Sequence, residues 1–512
     1  MNRKNRHIWK IYVLVLGLVI FFGIFLGIKF FNFNKSTLIE ISVVPDEAEI
    51  KLDGKRQAIG KLLTGNIQPG IYELEASKKG FETYTEKIEI RKGERFTKEI
   101  SLKPLRFDLK FDSSPKNANY SLILSDGLEK KGKTPFEEKI SAGNLKLRLS
   151  FTGYNTLEQE FFLDSDRNEF YYLDPEGQLA HHLFNIESVP SPKGIAFSPN
   201  NKEIWITLLL NKKKGVSIFT VFTGEKVTDI NLADGGGVEI IFSQDGKRAY
   251  ISQMETAKVF EIDVQLKKVL RTFNTNSAWT KVLELSKDGK TLFASNWSGD
   301  DISEIDLEEG KVRRRIPTVD TPRGLYATQD GNNLYVAGFG TGEIEKIDLK
   351  TGKGKIIYKS GGAMRHIVAD EGNGVLYVSD MAKNVIWKVF LKDDKVEKFV
   401  DTDVNPNTID LSPDKKILFV SCRGKNASAD NYYIPGPEWG SVLLFDAGTG
   451  EILDAIVGGN QPTALDVSSD GKFLIFSDFL DARLEVFEIP AYNLLKKGNG
   501  GRGKIYKNDL KK

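Results

Sequence analysis

Seven residues share one place in a repeated pattern, and they are the first candidates for chemistry. Lys193, Val238, Lys281, Arg323, Arg365, Asn407 and Thr463 each stand five residues before a recurring anchor: Ser198, Ser243, Ser286, Thr328, Asp370, Ser412 and Ser468. Four of the seven are cationic and none is acidic, in a chain whose 72 Lys and Arg nearly balance its 70 Asp and Glu. If the repeats close into a ring, seven equivalent positions converge at one mouth of a central channel. Cations gathered in such a concave place focus the field and draw anions. Arginine adds a two-pronged grip on carboxylate or phosphate. The chemistry expected of Lys193, Lys281, Arg323 and Arg365 is therefore anion binding.

Aromatic residues join this set. The sixth repeat carries a long insertion, Arg423 to Gly440, that contains Tyr432, Tyr433 and Trp439 beside Pro435, Gly436 and Pro437. A long loop inside a compact repeat is usually functional or disordered. Trp279 and Trp297 come from neighbouring loops expected at the same mouth. Together these five suit stacking on a sugar or another ring.

Signals for catalysis are weak, and no catalytic residue is assigned. The chain has four histidines, His7, His181, His182 and His366, and one cysteine, Cys422. That inventory argues against a metal site, and no metal or cofactor is expected. Glu239, Asp410 and Asp466 are the acids near the channel-lining strands, and alternation puts Asp410 and Asp466 on the face opposite the cationic ring. Gly127 to Thr134 fits the phosphate-loop pattern G-x-x-x-x-G-K-[ST] letter for letter. Pro135 follows it directly, where a phosphate loop needs a helix whose N-terminus faces the phosphates. It reads as a basic hairpin turn.

The elements that must position these residues are strands. The anchors are spaced by 45, 43, 42, 42, 42 and 56 residues, and each is followed by a polar turn and a second apolar run such as Tyr377-Val-Ser-Asp380 or Phe419-Val-Ser. A period near 42 with four strands per repeat is that of a propeller blade. These segments resemble the YVTN-type seven-bladed β-propellers, related to lactonase-like and surface-layer propellers. The resemblance covers 178–490, and a Pro-x-Gly opening with Arg at x belongs to that family's repeat. The last repeat lacks an outer strand after Ile489, and Leu179 to Ile186 is placed to supply it, which sets His181 and His182 on an outer strand.

Before the propeller, short alternating segments occur twice. Val43-Val44-Pro45-Asp46-Glu47-Ala48, Pro69-Gly70 and Gly80-Phe81 are matched by Ser114-Pro115-Lys116-Asn117-Ala118, Ala142-Gly143 and Gly153-Tyr154, at shifts of 70 to 73. Residues 36–104 resemble the PEGA domain family, and 105–176 form a second PEGA-like copy. The resemblance implies two small sandwich-like modules with no catalysis of their own.

Ile11 to Ile28 is a run of eighteen uncharged residues, preceded by Arg3, Lys4, Arg6 and Lys10. A run of this length spans most of a bilayer core of about 30 Å, and the basic side stays cytoplasmic. The expectation is a cytoplasmic stub at 1–10 and an uncleaved transmembrane helix at 11–31. That implies a single-pass inner-membrane protein with its bulk outside the cytoplasm. Residues 491–512 are rich in Lys, Arg and Gly and read as a flexible basic tail.

The fold class expected is thus all-β: one N-terminal transmembrane helix, two small PEGA-type modules and a seven-bladed propeller. The net charge of +2 excludes a nucleic-acid binder that relies on bulk charge. The leading functional reading is a membrane-anchored binding or scaffold protein of the cell envelope. Its partners would be an anionic glycan or wall polymer, or an envelope protein. A lactonase-like hydrolase and a purely structural envelope or surface-layer component are the alternatives that the resemblance leaves open.

Overall fold

A computed structural model describes residues 37–187, 189–211, 214–428 and 431–512. It falls into two compact units, one reaching to Leu149 with 157–170 and one made of 150–156 with 171–512.

The first unit holds two modules with the same layout. In the first, Leu38–Val44 lies between Lys61–Thr64 and Arg95–Ser101, and a second sheet runs Lys55–Ile59, Glu49–Leu52, Gly70–Ser77, Tyr84–Ile90. Ile39, Ile41, Ile50, Leu74 and Ala76 are fully buried. Their period-two spacing in the sequence is what two facing sheets require. The second module repeats the three-strand and four-strand sheets. Its Glu129–Lys133 segment pairs antiparallel with Asn119–Ile123. The letters of a phosphate loop therefore lie in a hairpin with no helix behind them.

The second unit is a ring. Among the described residues, seven four-stranded antiparallel sheets follow one another. Their innermost strands, from Pro192–Phe197 to Pro462–Val467, touch in succession, and the last touches the first. The outer strand is the least buried in most sheets, with Ile452–Val457 the exception. Ile417–Cys422, a second strand, is buried at every residue, whereas the outer Lys268–Asn274 buries only Phe273. Strands packed on both faces read as continuous apolar runs.

The anchors recur because they hold a turn. Ser243 Oγ donates to Asp245 at 2.7 Å and accepts the Arg248 amide at 2.9 Å. Ser286 with Asp288, Ser412 with Asp414 and Ser468 with Asp470 repeat this arrangement. His181–Ile186 pairs antiparallel with Arg483–Glu488 as the fourth strand of the last sheet, so chain from before the ring closes it.

Two expectations require correction. The transmembrane helix at 11–31 and the stub at 1–10 lie outside the described residues, and no described helix is long and apolar enough to cross a membrane. The described α-helix, Tyr492–Lys497, has six residues, which span about 9 Å against about 30 Å of hydrocarbon. The fold class is corrected to all-β with no spanning helix among the described residues, and the single-pass inner-membrane placement is withdrawn with it. The tail is also not a free chain. Tyr506 is 1% exposed and its hydroxyl donates to Asp403 at 2.8 Å. The Arg502 amide donates to Asp454, and the Trp439 amide donates to the Leu510 carbonyl. Burial of Tyr506 and these hydrogen bonds outweigh the flexibility of the tail's glycines.

Candidate functional site

The ring positions are set by a hydroxyl in the second strand of most sheets. Ser379 Oγ accepts the His366 amide at 3.1 Å and donates to the Asn407 carbonyl of the next sheet at 2.9 Å. Thr207 does the same between Gly194 and Val238, and Ser421 between Thr408 and Thr463. Ser252 and Ser295 reach the carbonyls of Lys281 and Arg323. One oxygen thus fixes both a sheet and the mouth residue of its neighbour.

At that mouth Lys281, Arg323 and Arg365 are 6%, 8% and 6% exposed. Lys193 is half-buried in the same concave wall. Among the described residues none of the four forms an ion pair with an acid. Arg365 Nη1 has only Met381 Sδ at 3.5 Å. Arg323 lies 5.6 Å from the Trp297 ring and 6.0 Å from Phe339. Lys281 sits over Trp297, and Lys193 lies 5.6 Å from the Phe479 ring. Burial, and then repulsion from Arg323, Lys193 and Arg365, lowers the Lys281 amine to about 4. Burial lowers the Arg323 guanidinium to about 10 and holds Arg365 and Lys193 well below their ordinary values. Desolvating a charge without a partner costs several kcal/mol. An anion entering this mouth would remove much of that cost.

Of the aromatic candidates, Trp279 stands 45% exposed beside Trp297, ring centres 5.6 Å apart. Tyr432 and Tyr433 stack at 4.2 Å and both approach Phe479. Gln461 Nε2 donates to the Tyr432 carbonyl at 2.6 Å, which ties the long loop to the ring. Trp439 is not part of this group. The Lys512 amine covers its ring at 4.4 Å, so the C-terminus occupies it.

The structure adds residues that the register of the first strand did not reveal. Arg423, 7% exposed, lies 5.1 Å from the Tyr432 ring and bonds Gln461, with no acid beside it among the described residues. It belongs to a second set of equivalent positions, eleven residues after each anchor: Leu209, Met254, Trp297, Phe339, Met381, Arg423 and Phe479. The amides of Trp297, Phe339, Met381, Arg423 and Phe479 bond the carbonyl two residues before the ring residue of their own sheet. The second set therefore forms a collar on the cationic mouth. The constant spacing was a readable signal.

The acids lie deeper. The amides of Ala327, Val467 and Phe197 donate across sheets to Glu284, Asp410 and Asp466. A cavity of about 350 Å³ is lined by Glu239, His366, Asp410 and Asp466 together. Burial raises Glu239 to about 7 and Glu284 to about 8, and lowers His366 to about 4. The channel is polarised, with cations at one mouth and carboxyls below, and Glu284, Asp410 and Asp466 hold sheets together.

Comparison with known proteins gives three findings. Residues 36–106 match the PEGA domain family. Over 355 residues, 67% of this chain and 77% of the relative, the chain is 31% identical to Antigen Lp49 of Leptospira interrogans. The β-propeller domain of Cps50 (Swd1) from Myceliophteria thermophila shares the fold, with a TM-score of 0.50 over 61% of this chain and 100% of that one, at 14% identity.

Proposed function

The chain belongs to the family of Antigen Lp49, and from that premise we propose that it is a surface-displayed binding protein rather than an enzyme. In this reading a PEGA module carries a seven-bladed YVTN-type propeller whose cationic mouth holds an anion, supplied by an anionic glycan or by an acidic group of a protein partner. Kinship with a protein named as an antigen supports display at a surface. The observation that carries the binding role is the group of buried basic side chains, the guanidinium groups of Arg323, Arg365 and Arg423 with the Lys281 amine beside them, with no acid paired to any of them among the described residues. The test is calorimetric titration of the full chain with glucuronate and with sulfate at low salt. Saturable binding that disappears in Arg365→Ala supports the reading. Binding indifferent to both Arg323→Ala and Arg365→Ala overturns it, as does failure of these anions and of an apolar carboxylate alike.

A further inference from the structure

We propose that the mouth selects an amphipathic anion: a single carboxylate carried on an aromatic or acyl body. The carboxylate meets Arg323 and Arg365, and the body lies against the collar. This rests on the reading of the mouth as an anion site and adds the class of ligand.

The collar carries the inference. Six of its seven positions are large apolar residues, and Arg423 is the exception. Trp297, Phe339 and Met381 remain partly exposed there, and the nearby Trp279 is 45% exposed and Tyr433 46%. A strongly hydrated ligand such as a sugar acid calls for polar partners around its hydroxyls, and this rim presents mostly ring faces and a thioether. Apolar surface on the ligand would bury those faces and take them out of water.

The position of the cations supports the same conclusion. Arg323 is flanked by Trp297 and Phe339, Arg365 by the Met381 sulfur, and Lys193 by Phe479. Charges in such low-dielectric surroundings attract strongly, but an entering anion must shed its own water. The shedding cost rises with the square of the charge, so it is far smaller for a monoanion than for a phosphate dianion. Delocalised guanidinium groups, weakly hydrated themselves, match a carboxylate on an apolar body.

The experiment is calorimetric titration of the full chain at low salt with 3-phenylpropionate, 3-phenylpropanol and glucuronate. The first is expected to bind at least about tenfold more tightly than glucuronate, a difference of about 1.4 kcal/mol, and the uncharged alcohol not measurably. Phe339→Ala is expected to weaken 3-phenylpropionate about tenfold and to leave glucuronate unchanged. Should that variant fold poorly, Met381→Ser replaces it with the same expectation. Arg365→Ala is expected to abolish both acids. Glucuronate binding as tightly as 3-phenylpropionate, or collar substitutions that weaken both acids equally, overturns the amphipathic selectivity and leaves anion binding standing. Failure of every anion overturns both readings.

Discussion

Arg365 and Arg483 are both guanidinium groups packed within the ring, and their surroundings make opposite demands. Arg483 joins Asp478 Oδ2 at 2.7 Å and the Glu485 carboxylate, both acids buried. Removing it leaves two buried carboxylates without a counter-charge. Arg483→Met is therefore expected to lower stability by about 3–5 kcal/mol. Arg365 forms no ion pair among the described residues and has only a weaker, longer-range attraction to Glu239, so removing it discards a desolvated charge and breaks no buried pair. Arg365→Met is expected to raise stability by about 1–3 kcal/mol in anion-free buffer while eliminating anion binding. Urea unfolding of both variants checks the pair, and a destabilised Arg365→Met would mean that an unrecognised partner holds Arg365. The sequence shows both arginines equally well. Which one is paired depends on neighbouring strands and on the sheet next door.

At the scale of the element, the inter-sheet hydroxyls and the closing strand carry the argument. Ser379 links its own first strand to the carbonyl of Asn407. Ser379→Ala is expected to cost about 1–2 kcal/mol, because it leaves a buried amide and a buried carbonyl without their partner. Thermal unfolding checks this, and an unchanged midpoint would show that water replaces the hydroxyl. The closing strand has a pH-dependent clasp. His181 Nδ1 meets Asp174 Oδ2 at 2.5 Å, and that hydrogen bond raises the imidazole above its ordinary value. A histidine raised in the folded state adds stability that is complete below about pH 6.5, its unfolded value, and fades as the pH rises through the folded value. Replacing His181 with Gln is expected to remove that decline, and stability measured from pH 5.5 to 8.5 checks it. His182 has the opposite sense. It lies between Tyr172 and Phe487, and burial lowers it to about 4. Its contribution is present above about pH 6.5 and is lost as the pH falls toward 4.

At the scale of the ring unit, the C-terminal segment is a strap. It runs past Asp454 and Asp403 and ends on the long mouth loop, where Lys512 Nζ donates to the Gly436 carbonyl at 2.8 Å. Tyr506 packs into the same apolar cluster as Cys422, the chain's one cysteine, which is fully buried. A chain ending at Lys497 is expected to expose that cluster, so that Cys422 reacts with a thiol reagent that leaves the full chain unmodified. Unchanged protection would show that the strap is dispensable to the core. Its composition of Lys, Arg and Gly suggests a solvated tail, because composition reports the cost of ordering a segment and not the surface available to receive it.

The repeat is written in the chain alone. The anchors and polar turns are local in origin, since a hydroxyl-capped turn acts within a few residues, and a strand packed on both faces shows in the sequence as a continuous apolar run. The paired small modules were legible for the same reason, through their alternation and their proline and glycine positions. The convergence of Lys193, Lys281, Arg323 and Arg365 could be anticipated from register, because equivalent positions in a closed ring must meet. What surrounds them emerged with the packing of the ring: the absence of ion pairs to these residues among the described residues, the collar with Arg423, the removal of Trp439 to the strap, and the commitment of Glu284, Asp410 and Asp466 to neighbouring sheets. Each of these depends on contacts between residues tens or hundreds of positions apart. Electrostatic partnership is a matter of a few ångströms, and spacing along the chain cannot fix it.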